Sequence, residues 1–220
     1  MYSAVVFDLD GTLLNTIDDL ADSANYICNK YGFPIHEVDK YRYMVGNGNL
    51  TLTKRFLPAT ILSEDVNKYY LEFIDYYKDH SAVKTAPYEG IIELLKFFKE
   101  NNIKVGMLTN KTQSIAEVIT KKYFGDLITD IQGNVEGIPV KPDPTGLYIL
   151  LEKMGCEARE TLFVGDTNID IMTGHNGNLK ACGVLWGFRD RHELEEVKAE
   201  YIVNTPEEIK KIVFPNDIDK

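Results

Sequence analysis

Ala4-Val5-Val6-Phe7-Asp8-Leu9-Asp10-Gly11-Thr12 is the stretch that decides the fold. Four apolar residues in strand-forming order run straight into an acid, and Gly11 lets the chain leave in a tight turn. The same event recurs downstream. Ile103 to Leu108 runs into Thr109-Asn110, Leu162-Phe163-Val164 runs into Gly165-Asp166, and Ala181 to Trp186 has similar strand-like content. Amphipathic helical stretches lie between these runs, such as Ile91-Ile92-Leu94-Leu95-Phe98 and Leu147-Leu150-Leu151-Met154, the latter closing at Gly155 as a C-cap. Strands alternating with helices predict an α/β fold, a parallel sheet covered by helices on both faces. Ligands of such sheets bind beyond the carboxyl ends of the strands, where these polar residues fall.

One section breaks the alternation. From Thr16 to Ala82 the pattern is helical throughout, with Leu20-Ala21-Ala24-Ile27, Leu50-Leu52-Phe56 and Val66-Tyr69-Tyr70-Phe73-Ile74-Tyr77 on its apolar faces. The predicted organisation is a core domain of residues 1–15 and 83–220 with an all-helical cap domain, 16–82, inserted as a lid over the sheet end. The tail after Pro215 is polar and is expected to fray.

Composition narrows the function classes. The chain has 220 residues, 44% of them hydrophobic, enough for one full domain and a smaller insertion. Acidic residues outnumber Lys and Arg by 34 to 24, so the net charge of −10 disfavours non-specific nucleic-acid or anionic-membrane partners. An anionic substrate must then be drawn in by a local cationic site. Cys28, Cys156 and Cys182 are scattered and form no Cys-x-x-Cys pair, which argues against a disulfide framework or zinc cluster and for a reducing, cytoplasmic setting. No basic lead-in precedes the first apolar run and no segment reaches membrane-spanning length. A monomer and a small homo-oligomer are both open.

Four polar clusters carry the chemistry: Asp8-Leu9-Asp10-Gly11-Thr12, Thr109-Asn110, Lys141-Pro142 and Gly165-Asp166-Thr167-Asn168-Ile169-Asp170. Taken singly, each is ordinary: a solvated turn, a helix N-cap, loop punctuation, a strand-to-helix turn. Together, in this order and at strand ends, they describe a site. One carboxylate of the first pair can attack phosphorus while the other exchanges a proton with the leaving oxygen and with water. The spacing of Asp166 and Asp170 puts two acids on one side of a helix start. Four converging acids would repel by about 4 kcal/mol per pair at 4 Å and an effective dielectric of 20. A bound cation offsets that, and an oxygen-rich site that receives phosphate suits Mg²⁺. Lys141, Thr109 and Asn110 supply charge and hydrogen bonds to a phosphoryl group.

These clusters resemble the signature motifs of the haloacid dehalogenase superfamily of phosphohydrolases over nearly the whole chain. The resemblance implies a Rossmann-like core with a helical cap. It implies Asp8 as nucleophile and metal ligand, and Asp10 as general acid/base that lends its backbone carbonyl to the metal. Thr109 and Lys141 would hold the phosphoryl group with Asn110 nearby, and Asp166 would bind Mg²⁺ with Asp170 assisting from behind or through a water. Val45-Gly46-Asn47-Gly48, with Leu52, Arg55 and Leu57, is similar to the cap loop of phosphoglycolate phosphatases, as are Pro87-Tyr88-x-Gly90 and Trp186-Gly187-Phe188. By that likeness Asn47, Gly48 and Arg55 face the site and read the far end of the substrate, Arg55 its carboxylate. The alternative is that the glycines only make a turn and Arg55 is solvated. Thr173-Gly174-His175 and Glu89 depart from the family pattern, and His175 is given no role.

The expected reaction is Mg²⁺-dependent hydrolysis of a small phosphomonoester, 2-phosphoglycolate first. An inorganic pyrophosphatase shares the first motif. A phosphosugar mutase would more often carry valine where Thr12 stands. A non-catalytic phosphate-binding module would have lost a motif residue, and Asp8, Asp10, Lys141 and Asp166 are all present.

Overall fold

Residues 2–215 are described by the computed structural model, and the expected fraying beyond Pro215 lies outside them. In chain order, β1 (Ala4–Phe7) and the two-residue β2 (Leu14–Asn15) lead into α1 (Ile17–Lys30), α2 (Val38–Met44), α3 (Asn49–Phe56) and α4 (Val66–His80). The chain returns through β3 (Ala86–Pro87) to α5 (Ile91–Glu100), β4 (Lys104–Thr112), α6 (Gln113–Phe124), β5 (Asp130–Asn134) and α7 (Thr145–Met154). After β6 (Thr161–Gly165) come α8 (Asn168–Asn176), β7 (Lys180–Val184), α9 (Arg191–Glu196), β8 (Tyr201–Val203) and α10 (Pro206–Val213).

Six of these strands form one parallel sheet in the order β5-β4-β1-β6-β7-β8, so the expected α/β architecture is present. β1 is central, in register with β4 from Ala4↔Lys104 to Phe7↔Met107 and with β6 from Ala4↔Thr161 to Phe7↔Val164. Its pleat sends alternate side chains to opposite faces. Val5 and Phe7 join the cluster holding Leu94, Leu95 and Phe98 of α5, whereas Ala4 and Val6 join Leu147, Leu150 and Met154 of α7. Helices on both faces explain why this strand is apolar at every position. Gly155 ends α7 in the left-handed conformation (φ 59°), as its position predicts.

Two elements depart from the expected pattern. β4 does not stop at Leu108 but continues through Thr109, Asn110 and Lys111 to Thr112, with an irregularity between Leu108 and Thr112. Its neighbour β5 reads Asp-Ile-Gln-Gly-Asn, too polar to announce a strand, yet it pairs with β4 as far as Thr112↔Asn134. Backbone pairing at a sheet edge therefore overrides the polar side chains.

The four helices α1 to α4 lie between β2 and β3, which pair antiparallel through Leu14↔Pro87 and Asn15↔Ala86. The insertion thus leaves and re-enters the core at adjacent points. Its interior is aromatic, with Phe56, Phe73 and Tyr77 buried and the Phe56–Phe73 and Phe73–Tyr77 rings 5.6 and 5.7 Å apart. Asp19, buried near the start of α1, accepts hydrogen bonds from the amides of Val83, Lys84 and Thr85 and from the Thr85 hydroxyl, at 2.7–3.0 Å. This single carboxylate fastens the outgoing and returning connections together. Replacing it leaves buried donors without partners, each costing about 1–3 kcal/mol. Asp19→Ala should lower the free energy of unfolding by about 2–4 kcal/mol in urea titrations; a loss below about 0.5 kcal/mol would show that the clamp contributes nothing.

Candidate active site

β1, β4 and β6 end side by side, and their polar ends converge although they are far apart in sequence. One carboxylate oxygen from each of Asp8, Asp166 and Asp170 lies within 4.8 Å of the others, and all three residues are buried. Lys141 reaches this group from the loop before α7, its ammonium 2.6 Å from Asp8 Oδ1 and 2.7 Å from Asp170 Oδ1. Asp170 is the third residue of α8. Its other oxygen accepts from the Thr167 amide and hydroxyl at 3.0 and 2.7 Å in a capping box, so one acid both starts the helix and holds the lysine. Asp166 precedes that helix and is fully buried. Thr12 Oγ1 donates to its Oδ1 at 3.0 Å and the Phe188 amide to its Oδ2 at 2.7 Å. Gly11, at φ 92°, and Gly187 close around the same carboxylate; a Cβ on either would collide with Asp166. That contact explains both glycines.

The expectation of four converging acids needs correction. Asp10 does not join the cluster. Its carboxylate pairs with Lys111, whose ammonium is 2.8 Å from Oδ1 and 3.1 Å from Oδ2, and it accepts from Thr16 Oγ1 at 2.7 Å. The repulsion is relieved by separating one acid onto its own cation. Among the remaining three, burial pushes the Asp8 carboxyl well above its ordinary range, with Asp170 and Asp166 adding to the rise and Lys141 opposing it. Burial, then Asp170, pushes Asp166 up to about 7 against the Phe188 and Thr12 hydrogen bonds. Burial disfavours the charge on Lys141, but Asp170 and Asp8 outweigh it and hold the ammonium above the usual lysine value. With all three acids ionised the cluster would carry more negative charge than one lysine neutralises, which is why burial drives Asp8 and Asp166 toward protonation.

A cleft opens onto these groups, lined on the core side by Asp8, Asp10, Thr109, Asn110, Lys111 and Lys141. Leu20, Val45, Gly46, Gly48, Asn49 and Leu52 of the helical insertion cover it. Asn110 spans the two sides: its Oδ1 accepts from the Lys141 amide at 2.8 Å, and its Nδ2 donates to the carbonyls of Gly46 at 2.9 Å and Lys141 at 3.2 Å. The Asn110 amide is thus committed to the protein, and its side chain holds Lys141 and the cap loop rather than standing free for a ligand.

The haloacid dehalogenase-like hydrolase family profile matches residues 5–184, which take in every strand end just described. The chain is a haloacid dehalogenase-like hydrolase. Phosphoglycolate phosphatase 1 of Pseudomonas aeruginosa is 26% identical to this hydrolase over 97% of the chain and 83% of its own length. A phosphoglycolate phosphatase of Agrobacterium fabrum is 30% identical over 94% and 93%. An N-acetylmuramic acid 6-phosphate phosphatase of Pseudomonas aeruginosa is 29% identical over 94% and 92%. A crystal structure from Lactobacillus delbrueckii subsp. bulgaricus, of a protein designated a phosphoglycolate phosphatase by inference, superposes with a TM-score of 0.92 at 27% identity, covering 96% of this chain and 98% of that one.

The cap-loop residues of this hydrolase sit differently from one another. Gly48 lines the cleft, whereas Asn47 borders a neighbouring groove with Thr51, Pro142 and Asn176. Arg55 does not line the cleft. Its guanidinium donates to the Met44 carbonyl at 2.7 Å and to Asn47 Oδ1 at 2.8 Å, bracing the loop from outside. The expectation that Arg55 faces the site is corrected accordingly, because two nearby acceptors already hold it. Sequence reasoning also overlooked Lys111, Thr16 and Arg189. Arg189 donates to the carbonyls of Arg42 and Val45, pinning the same loop to the core. Lys111 carried a signal, a lysine directly after Thr109-Asn110 at an apolar strand end, but it reads equally well as the first turn of a helix. His175 pairs with Glu200 at 3.1 Å on the surface, consistent with its having no part here.

Because Asp166 keeps its proton up to about pH 7 in the folded protein against 3.8 for the ordinary side chain, the fold binds more protons than the unfolded chain in that window. Without a divalent cation the contribution of Asp166 to stability therefore falls as pH rises from 4 to 7. A cation held by these three acids would favour their ionised form, so the stabilisation it gives should grow over the same range. The upward shift in Tm produced by 5–10 mM Mg²⁺, on the order of several degrees, is expected to be larger at pH 8 than at pH 6. Equal shifts at both pH values would contradict this account of the carboxylates.

Proposed function

We propose that this protein hydrolyses a small phosphomonoester, 2-phosphoglycolate first, by way of a phosphoryl group carried on Asp8. The observation that carries the reading is the buried Asp8 carboxylate lying beside Lys141, Asp166 and Asp170 at the floor of a cleft that the insertion closes.

Whether the site suits a metal ion follows from its donors. They are carboxylate oxygens alone, without His or Cys, they are crowded, and two of them are driven toward protonation. A hard divalent cation such as Mg²⁺ fits that set. Asp8 and Asp166 would hold it with the Asp10 backbone carbonyl, Asp170 helping from behind, and it would draw negative charge off the phosphoryl oxygens.

The chain's own residues do the rest. Lys141 and Thr109 bind and orient the phosphoryl group, and Asn110 keeps Lys141 and the cap loop in place. A carboxylate oxygen of Asp8 forms a bond to phosphorus as the bond to the leaving oxygen breaks, and Asp10 gives that oxygen its proton. Asp10, now ionised, takes a proton from water as the water oxygen attacks phosphorus. The Asp8 carboxylate is released with inorganic phosphate. Residues 16–82 act as the lid. Leu20, Val45 and Leu52 exclude bulk water from the cleft during the first transfer, and the lid opens to release products.

The relatives support a phosphate ester as substrate, two of those named above being phosphoglycolate phosphatases. The test is phosphate release with Mg²⁺ from 2-phosphoglycolate, N-acetylmuramic acid 6-phosphate and pyrophosphate. Phosphoglycolate should give the highest kcat/KM, and Asp8→Asn should reduce turnover by at least about 10³-fold. Preference for either of the others would replace the substrate, and Asp8-independent turnover would sink the mechanism. A second variant addresses the loop. Because Arg55 braces Asn47 rather than the ligand, Arg55→Ala should change kcat/KM for phosphoglycolate and for ethyl phosphate, which lacks a carboxylate, by the same few-fold factor; a loss confined to phosphoglycolate would return Arg55 to the carboxylate.

A further inference from the structure

Lys111 is a buried cation that the reaction just described does not use. Its side chain is 1% exposed, at the irregular end of β4. An ammonium has three N–H donors, and here all three are placed: on Asp10 Oδ1 at 2.8 Å, on Asp10 Oδ2 at 3.1 Å and on the Tyr77 hydroxyl at 2.8 Å. No donor is left for a substrate anion, although Lys111 borders the cleft. Tyr77 belongs to α4, at the end of the insertion, and Thr16, the residue before α1, donates to Asp10 Oδ1 at 2.7 Å. Asp10 is therefore gripped from the core through Lys111 and from the insertion through Thr16 directly and Tyr77 by way of the lysine. Oδ1 accepts two of these bonds and Oδ2 only the longer one.

From this geometry we infer that Lys111 and Tyr77 are positioning residues for Asp10, locking Oδ1 so that Oδ2 is the oxygen that passes the proton, and that the lock is complete only when α4 lies closed on the core. The inference rests on the proposed phosphatase reaction. Its distinctive consequence is a dependence on the leaving group. A misplaced acid slows departure of an alkoxide, which needs the proton, and spares departure of a carboxylate, which does not. The second order constant kcat/KM isolates this step, because it reports only events up to the first irreversible transfer.

The experiment measures kcat/KM with Mg²⁺ for phosphoglycolate, ethyl phosphate and acetyl phosphate in the wild type, Lys111→Met and Tyr77→Phe. General acid catalysis is worth about 10²–10⁴-fold. Lys111→Met should therefore lose roughly 30–100-fold on both alkyl phosphates and no more than about 3-fold on acetyl phosphate. Tyr77→Phe, which keeps the packing of the ring, should show the same pattern at about 3–10-fold, so that the inference stays testable if the methionine variant folds poorly. Equal losses on all three substrates would reduce Lys111 and Tyr77 to structural supports and overturn the assignment. A loss on phosphoglycolate alone, with ethyl phosphate unaffected, would make Lys111 a counter-ion for the substrate carboxylate and overturn it too. Wild-type protein that releases phosphate from none of the three would bring down the phosphatase reading itself, whereas Asp8-dependent turnover with flat variant profiles would bring down only this one.

Discussion

Three carboxylates cannot stay ionised together in one buried pocket unless positive charge stands among them. In this protein Asp8, Asp166 and Asp170 meet at the ends of parallel strands, and Lys141 bridges two of them with hydrogen bonds of 2.6 and 2.7 Å. Much of the nearby structure follows from that constraint. The capping box on α8 fixes the far oxygen of Asp170, the Thr12 hydroxyl and Phe188 amide satisfy Asp166, and the Asn110 side chain holds the Lys141 backbone. The fourth acid is drawn aside onto Lys111. Each carboxylate oxygen with a partner is one less that burial leaves uncompensated.

The sheet makes this assembly possible. β1 lies between β4 and β6, so the chain must run out to one side and return to the other, and the crevice where its direction changes is where the polar strand ends gather. The insertion leaves from that same edge and folds back over it. Its loop at residues 45–49 touches the core through Asn110, which donates to the Gly46 carbonyl, through Arg189, which donates to the Val45 carbonyl, and through Asn49, whose side chain donates to Thr112 Oγ1 at 3.5 Å. Backbone and side chains both hold it, with Gly46 and Gly48 at φ 115° and 83° and Asn47 braced by Arg55.

The sequence was informative where hydrophobic burial and chemistry coincide. β1 and β6 are apolar because helices cover both faces, and their ends are marked by acids with few other uses. The helical insertion stood out by its period, and the αL end of α7 by its glycine. β5 escaped notice because Asp130-Ile131-Gln132-Gly133-Asn134 lacks an apolar run, and pairing with its neighbour, not its own composition, makes it a strand. The polar end of β4 was hidden for the same reason. Roles set by long-range partners were equally hidden. Nothing in the local spacing separates Asp10 from the three clustered acids, aims Arg55 at Met44 and Asn47, or brings Lys111 to Tyr77 across the gap between strand and insertion.

The paired strands β2 and β3 give the insertion adjoining points of departure and return, clamped together by Asp19. Because the entry and exit are neighbours, the insertion behaves topologically as one long hairpin loop. Its length and internal architecture can change while the six-stranded sheet keeps its order. Recognition and chemistry can therefore diverge at separate rates: a lineage can remodel what sits above the cleft while inheriting the acids beneath it unaltered.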